Sequence, residues 1–318
     1  MRFSRKYLRF RFIIYAAISL IFYNEFVVYW LSTLKYPQIE SNGTRFFLIA
    51  DPQLIGDNDE PLFLKSIAKW DSDRYLHKTY QLARKFAKPD IIIFLGDIFD
   101  EGVKSNNEQF NGYQKRFEKI FELDATNSKR LIICAGDNDI GGEYNDRTEI
   151  LEKRFEQYFG SLVDLVKFKN TSFLKLDFDN GVVYSNEKRD HIRKLIHYEK
   201  SDRDHNYMII VNHLSIIKNR KSDEVLNLIN DSNAGLIIKG DDHKLSLTKH
   251  IISTDSFISY NVNSSKMYNF DLQKSNNKVG TFYELSIPTC SYRMGVPEMG
   301  YGLMTITQDG NVNFSPSQ

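Results

Sequence analysis

One pattern recurs along the chain: a short apolar, largely β-branched run that stops at a residue able to bind a metal. Phe46-Phe-Leu-Ile-Ala ends at Asp51, Ile91-Ile-Ile-Phe-Leu-Gly at Asp97, and Leu131-Ile-Ile-Cys-Ala-Gly at Asp137. Met208-Ile-Ile-Val-Asn ends at His213, and Leu236-Ile-Ile-Lys-Gly at Asp241, with His243 two residues on. Runs of this length without alternation predict strands buried on both faces. The intervening segments are long enough for crossovers. Asp73–Lys88 and Glu149–Phe159 have helical spacing, and Lys88-Pro89 stops the first of them. Trp70, Tyr75 and Tyr80 sit at near-helical spacing and are expected in the core.

A different pattern opens the chain. Arg2, Arg5, Lys6, Arg9 and Arg11 precede an apolar stretch over Phe12–Leu34, broken by Asn24 and Glu25. At 1.5 Å per residue this stretch can cross a hydrocarbon core of about 30 Å. The basic cluster ahead of it predicts a cytoplasmic amino terminus. The expected organisation is a basic tail over 1–11, an uncleaved transmembrane anchor over 12–34 and a lumenal domain over 35–318. A cleaved signal peptide is the alternative, but no small-x-small cleavage site lies at a suitable distance. Sequons at Asn42, Asn170, Asn230, Asn263 and Asn313 permit glycosylation in a lumenal compartment.

Composition narrows the function. Of 318 residues, 42 are Lys or Arg and 41 Asp or Glu, a net charge of +1 that gives no footprint for nucleic acid. Two cysteines, Cys134 and Cys290, make neither a disulfide framework nor a thiolate zinc module, and are read as a core thiol and a loop thiol.

In an open α/β sheet, ligands bind beyond the carboxyl ends of the strands. Here five such ends deliver Asp51, Asp97, Asp137, His213 and Asp241 with His243. Carboxylates converging without a cation would repel and raise each other's pKa. A pair of divalent metals resolves that repulsion, and its natural chemistry is hydrolysis of a phosphate ester.

Asp51-x-Gln53, Gly96-Asp97, Gly136-Asp137-Asn138-Asp139, Asn212-His213 and Gly240-Asp241-Asp242-His243 together resemble the calcineurin-like metallophosphoesterase superfamily. Its pattern is D-x-H, G-D, G-N-H-D/E, H and G-H-x-H. Gly96-Asp-Ile-Phe-Asp-Glu-Gly102, Asp139-Ile-Gly141, Arg154-Phe-Glu, Phe159-Gly160 and Ile287-Pro-Thr-Cys-Ser-Tyr-Arg-Met-Gly295 further resemble the branch that acts on GPI anchors. The similarity covers roughly residues 45–310. The resemblance implies an α/β fold of two packed mixed β-sheets flanked by helices. It implies a phosphodiesterase that removes ethanolamine-phosphate from GPI anchors in the endoplasmic reticulum or Golgi membrane, aiding export of GPI-anchored proteins. Members of that branch carry a second, carboxy-terminal span. Here attachment to the lipid bilayer is expected to rest on 12–34.

Carried over by position, the resemblance assigns one metal to Asp51, Gln53, Asp97 and His243. The other goes to Asp97, Asp137, His213 and Asp241, with Asp97 bridging. Four positions depart from the pattern. Gln53 and Asp241 stand for His, Asp137 for Asn, and Asn138 for the His that meets the substrate phosphate. The replaced ligands still offer oxygen donors. Four carboxylates give the set a formal charge of −4 against +4 from two divalent ions. Such a site favours Mn²⁺ or Mg²⁺ over Zn²⁺. Asn138 can donate a hydrogen bond but cannot protonate a leaving group. The proton would come from Asp242 or from water, or the chemistry is slow. Asp139 is expected to support the loop rather than react. Arg293 could pair with a phosphate or form a plain salt bridge. His77, His191, His197, His205 and His250 lack strand-end placement and are read as surface or helix-face residues. Two alternatives stay open: a catalytically impaired relative that binds GPI glycan or cargo, and a lumenal phosphatase with another substrate.

Overall fold

The computed structural model describes residues 2–36, 42–123, 130–142, 147–177, 186–201, 207–216, 223–251, 254, 256–260, 262–263, 266–272 and 281–317. Two mixed sheets pack face to face. In the first, β1 (Thr44–Ile49), β2 (Ile91–Phe94) and β3 (Leu131–Ile133) run parallel. The other flank of β1 pairs antiparallel with β12 (Tyr301–Ile306), followed by β13 (Asn311–Ser317) and β10 (Tyr268–Asp271). The second sheet runs β4 (Asp164–Phe168), β5 (Thr171–Lys175), β6 (Tyr207–Val211), β7 (Leu236–Lys239), β11 (Thr281–Ser286), β8 (Ser246–Ile251), β9 (Ser256–Tyr260). β5, β6, β7 and β11 are parallel.

This layering explains the unalternating runs. Successive strand side chains point to opposite faces. Phe46, Leu48, Ile91 and Ile93 enter the core between the sheets, where they join Phe173, Ile209 and Ile238. Phe47, Ile49, Ile92 and Phe94 point outward into a second core. That core is closed by α3 (Leu62–Ala87), α4 (Asn107–Ile120) and α6 (Glu149–Phe159). On the far side, Ile210 and Ile237 meet Ile192 and Ile196 of α7 (Asn186–Ser201) and Ile229 of α8 (Asp223–Ser232). Both faces of the central strands are therefore dry, and both must be apolar.

The helix ends are set by local chemistry. α4 starts with a reciprocal cap between Asn106 and Gln109, and α6 with the Thr148 hydroxyl accepting from the Leu151 amide. α3 ends at Lys88, left-handed at φ 45°, because Pro89 cannot continue it. It begins well before Asp73, since the Phe63–Trp70 stretch continues its spacing.

Trp70 and His250 depart from expectation. Tyr80 is buried, but Trp70 is 63% exposed, on the side of α3 away from the core. His250 lies on β8 at 1% exposure with its ring 5.0 Å from Phe282, not on the surface. His77 is half-buried on α3, its Nδ1 2.8 Å from the Ile120 carbonyl. His191 and His197 are exposed on α7, which still buries Ile192 and Ile196, and His205 lies outside the described residues. Cys290 lies in the loop between β11 and β12, as expected, and is buried like Cys134.

The N-terminal apolar stretch is one helical rod: α1 (Arg2–Phe22), a π-helical turn over Tyr23–Val27, and α2 (Val28–Thr33). Tyr7–Thr33 is long and apolar enough to cross a membrane. Glu25 forms ion pairs with Arg74 and Lys78 of α3. The last third of the rod therefore lies against the domain, and Glu25 is not stranded among apolar groups.

Candidate metal centre

The C-terminal ends of β1, β2, β3, β6 and β7 open onto one cleft. Asp51 and Gln53 follow β1, Asp97 follows β2, and Asp137 opens α5 (Asp137–Ile140) directly after β3. His213 follows β6, and Asp241 with His243 follows β7. The backbone turns sharply at these points. Asp51, Gln53, Asp97, Asp241 and His243 adopt positive φ (49°, 41°, 50°, 69° and 57°), five of nine such non-glycine positions among the described residues. Each costs of order 1–3 kcal/mol and persists only where the surrounding structure overdetermines it. Gly136 is required by space: a Cβ there would lie 2.2 Å from the Asp97 backbone N and from its Oδ1.

His213 sits at the centre. It is 3% exposed, and its Nδ1 is 2.7 Å from the Leu95 carbonyl. A carbonyl only accepts, so Nδ1 carries a hydrogen and Nε2 faces the cleft. That is the tautomer a metal-binding imidazole uses. Nε2 lies 3.2 Å from Asp137 Oδ1 and 3.4 Å from Asp97 Oδ1. Two groups of donors converge tightly enough to hold an ion: Asp51, Asp97 and His213, and Asp137, His213 and Asp241.

Asp97 accepts three hydrogen bonds. Oδ1 accepts from the Asn138 amide (3.0 Å), and Oδ2 accepts from Gln53 Nε2 (2.9 Å) and Asn138 Nδ2 (2.8 Å). Asp51 Oδ1 accepts from the Asp241 amide at 3.2 Å, while its Oδ2 is buried with no hydrogen-bond partner. Burial raises the Asp51 pKa, and burial raises that of Asp97 well above the carboxylate range. Burial opposes charge on His213, but Asp97, Asp137 and Asp51 around it drive its pKa well up. Asp137 moves down despite burial, through its bond to His213. Crowded carboxylates of this kind repel one another, and a cation among them would relieve that repulsion. The bare Asp51 oxygen, the cleft-facing edge of His213 and the hard oxygen donors all suit a divalent ion.

His243 lies 3.3 Å from Gln53 Nε2 and outside both groups. Gln53 faces the cluster through its donor nitrogen, so offering Oε1 to a cation takes a half-turn of its amide. Asp139 accepts from the amides of Ile98, Phe99 and Gly136 and ties the β2 loop to the β3 loop. Burial raises its pKa to about 6. Asp242 is held by Lys239 at 2.7 Å, which removes it as a ready proton source. Arg293 is paired with Glu60.

Three contributors escape sequence reasoning. Thr289 Oγ1 donates to the Asp51 carbonyl (2.8 Å), holding that turn from the far end of the chain. Glu101, 1% exposed, accepts from the amides of Asn58 and Asp59 and pins the rim after β1. Arg147, paired with Asp177, lines a small cavity beside Asp137 and His213. Glu101 and Thr289 lie in segments marked by the resemblance, but their roles carry no local signal, because each of the three acts on a loop distant in sequence.

This fold and this cluster of carboxylates and histidine define a metal-dependent phosphoesterase. A family model described as calcineurin-like phosphoesterase matches residues 44–245, and the chain belongs to that family. It is 26% identical over 167 residues to the Metallophosphoesterase 1 homolog of Caenorhabditis elegans, covering 51% of this chain and 44% of that protein. It is 32% identical over 156 residues to Metallophosphoesterase 1 of Xenopus laevis, covering 46% and 37% respectively. The matched region spans under half the length of each relative. Purple acid phosphatase PPD1 from yellow lupin (Lupinus luteus) seeds shares the fold, with a TM-score of 0.54 at 10% identity over 88% of this chain and 52% of that one.

Proposed function

We propose that this chain is a membrane-anchored phosphodiesterase with two divalent cations, Mn²⁺ by preference, that removes ethanolamine-phosphate from GPI anchors. On this reading the domain is lumenal, in the endoplasmic reticulum or Golgi, and its action aids export of GPI-anchored proteins. The observation that carries the hydrolytic reading is the convergence of four carboxylates and one correctly tautomerised histidine from five strand ends. The GPI branch is supported by the late segment Ile287–Gly295, whose Thr289 buttresses the Asp51 turn.

His213 has one nitrogen facing the cleft and so serves one cation, grouped with Asp137 and Asp241. Asp51 and Asp97 are left for the other, with His243 and a rotated Gln53 beside them. Bound there, a cation pair supplies Lewis-acid polarisation of the phosphoryl group and an activated water at neutral pH. The chain's own residues do the positioning. Asn138 directs its side-chain amide at Asp97 and orients that carboxylate. Asp139 fixes the loop that carries both. Neither can protonate a leaving group at neutral pH as held here, so departure relies on solvent or on a substrate with an acidic leaving group.

The test is elemental analysis of the full chain, purified in detergent after incubation with Mn²⁺, beside Asp97→Ala. Hydrolysis of an ethanolamine-phosphate diester is assayed together with a phosphate monoester. About two metals per chain with diester turnover, both lost in the variant, is the expected result. Metal binding with monoester turnover alone would transfer the site to the lumenal phosphatase reading. A chain that binds neither metal nor loses anything on substitution would leave a binding protein.

A further inference from the structure

α3 carries two apolar faces. One, formed by Leu76, Tyr80, Ala83 and Ala87, is buried in the core. The other is Phe63, Ile67 and Trp70, which stand 80%, 63% and 63% exposed on the opposite side, with Leu64 beside them. A soluble domain has no reason to present three large side chains in register on an outer helix face.

The next residues along that same face identify the occupant. Arg74 and Lys78 come after Trp70 at helical spacing, and both are covered by Glu25 of the N-terminal rod. The contacts then continue along both helices. The Tyr29 ring lies 6.5 Å from that of Tyr75, and the Tyr36 ring 5.0 Å from that of Phe86. Residue numbers rise together, so rod and α3 run side by side in the same direction. Going back toward the amino end, the rod passes from its covered part into the apolar helix, while α3 passes from Arg74 to the bare stripe. The two uncovered apolar surfaces therefore leave the domain at the same end. Above Glu25, Tyr7–Asn24 would span about 27 Å at 1.5 Å per residue, close to a hydrocarbon core, with Arg9 and Arg11 at its far end reaching for headgroups.

We propose that Phe63, Ile67 and Trp70 of α3 form a second membrane contact, seated in the bilayer interface beside the emerging N-terminal helix. Trp is the side chain that favours headgroup depth, and here Arg74 stacks over it at 5.3 Å from the ring centroid. The contact also sets the domain's orientation. α3 starts at the end of the loop bearing Asp51 and Gln53. Tyr292, three residues after the Thr289 that holds the Asp51 turn, ties the first half of α3 to the site, with the Tyr292 hydroxyl donating to Asp71 at 2.8 Å. The rim thus faces the membrane, which suits a phosphodiester carried on a lipid. This inference rests on the anchored part of the reading above and not on its chemistry.

The experiment uses the full chain with Trp30→Phe, leaving Trp70 the one tryptophan. It is reconstituted in phosphatidylcholine vesicles brominated either near the headgroup end or near the methyl end of the acyl chains. Trp70 emission should fall with the first lipid and much less with the second, and should be poorly quenched by aqueous acrylamide. Phe63→Glu with Ile67→Glu should abolish the lipid quenching while metal content and turnover of a soluble ester persist. No quenching by either lipid, with Trp70 open to acrylamide, overturns the proposal. No lipid quenching with Trp70 shielded from acrylamide also overturns it, in favour of a protein covering the stripe. Lipid quenching retained in the Phe63→Glu, Ile67→Glu variant also overturns the proposal, whereas quenching without any turnover in the Trp30→Phe protein counts against the enzyme reading alone.

Discussion

The metal centre and the outer face of α3 break the same rule in opposite directions. Proteins bury apolar groups and expose charged ones. The cleft buries Asp51, Asp97, Asp137 and a histidine, with one oxygen of Asp51 unpartnered. The outer face of α3 exposes Phe63, Ile67 and Trp70. The backbones differ as well. The cleft holds five non-glycine residues at positive φ, whereas the stripe rides on an unbroken helix. An inversion maintained against strain points to a small ligand that must be met at fixed points. One on a relaxed helix points to a broad, fluid partner that needs only a face.

The contrast can be broken experimentally, and the largest effect is expected in the cleft. Asp97→Ala removes the acceptor of Gln53 and both Asn138 donors and should leave no measurable turnover. Metal retained at wild-type stoichiometry, measured by elemental analysis, would contradict this. Gly136→Ala drives a methyl into Asp97 and should lower unfolding free energy by about 3 kcal/mol, the upper range for overpacking. A melt indistinguishable from wild type would show the loop to be loose. Asn138→His should speed esters with poor leaving groups by roughly 10²-fold, the low end for a positioned general acid. Nitrophenyl esters should gain far less, and equal gains on both would reject proton supply as the limit. Phe63, Ile67 and Trp70 changed singly to Ser should each move stability in detergent by no more than about 0.5 kcal/mol, as for surface positions. A larger loss in any of them would mean that the stripe packs on protein.

Much of the cleft is legible in the sequence because its strands are buried on both faces. That produces uninterrupted β-branched runs whose ends can be read to the residue, as at Asp51, Asp97 and His213. The loop-tying role of Asp139 is also foreseeable from its acid at a supporting position. Periodicity says less about what each face meets. Phe63, Ile67, Trp70 and Tyr80 all fit one helix, but spacing does not assign Trp70 to the outside and Tyr80 to the core. His250 escapes for a similar reason, since the mixed polarity of β8 hides a buried position. The partners of Glu25 lie 49 and 53 residues away, and no local pattern reports them. The net charge of +1 likewise conceals how unevenly the carboxylates are gathered.

The pairing of β1 with β12 bears on the birth of the protein. Thr44 lies opposite Ile306, and the Asp51 turn hangs on Thr289. With synthesis at about 5–20 residues per second, the amino-terminal strand waits tens of seconds for its neighbour. Through that interval β1 has an open edge on the side where β12 will sit, and the carboxylate cleft has no floor. Until β12 emerges, a nascent chain therefore carries an unpaired apolar strand edge, and the cleft is complete only once Thr289 reaches the Asp51 turn.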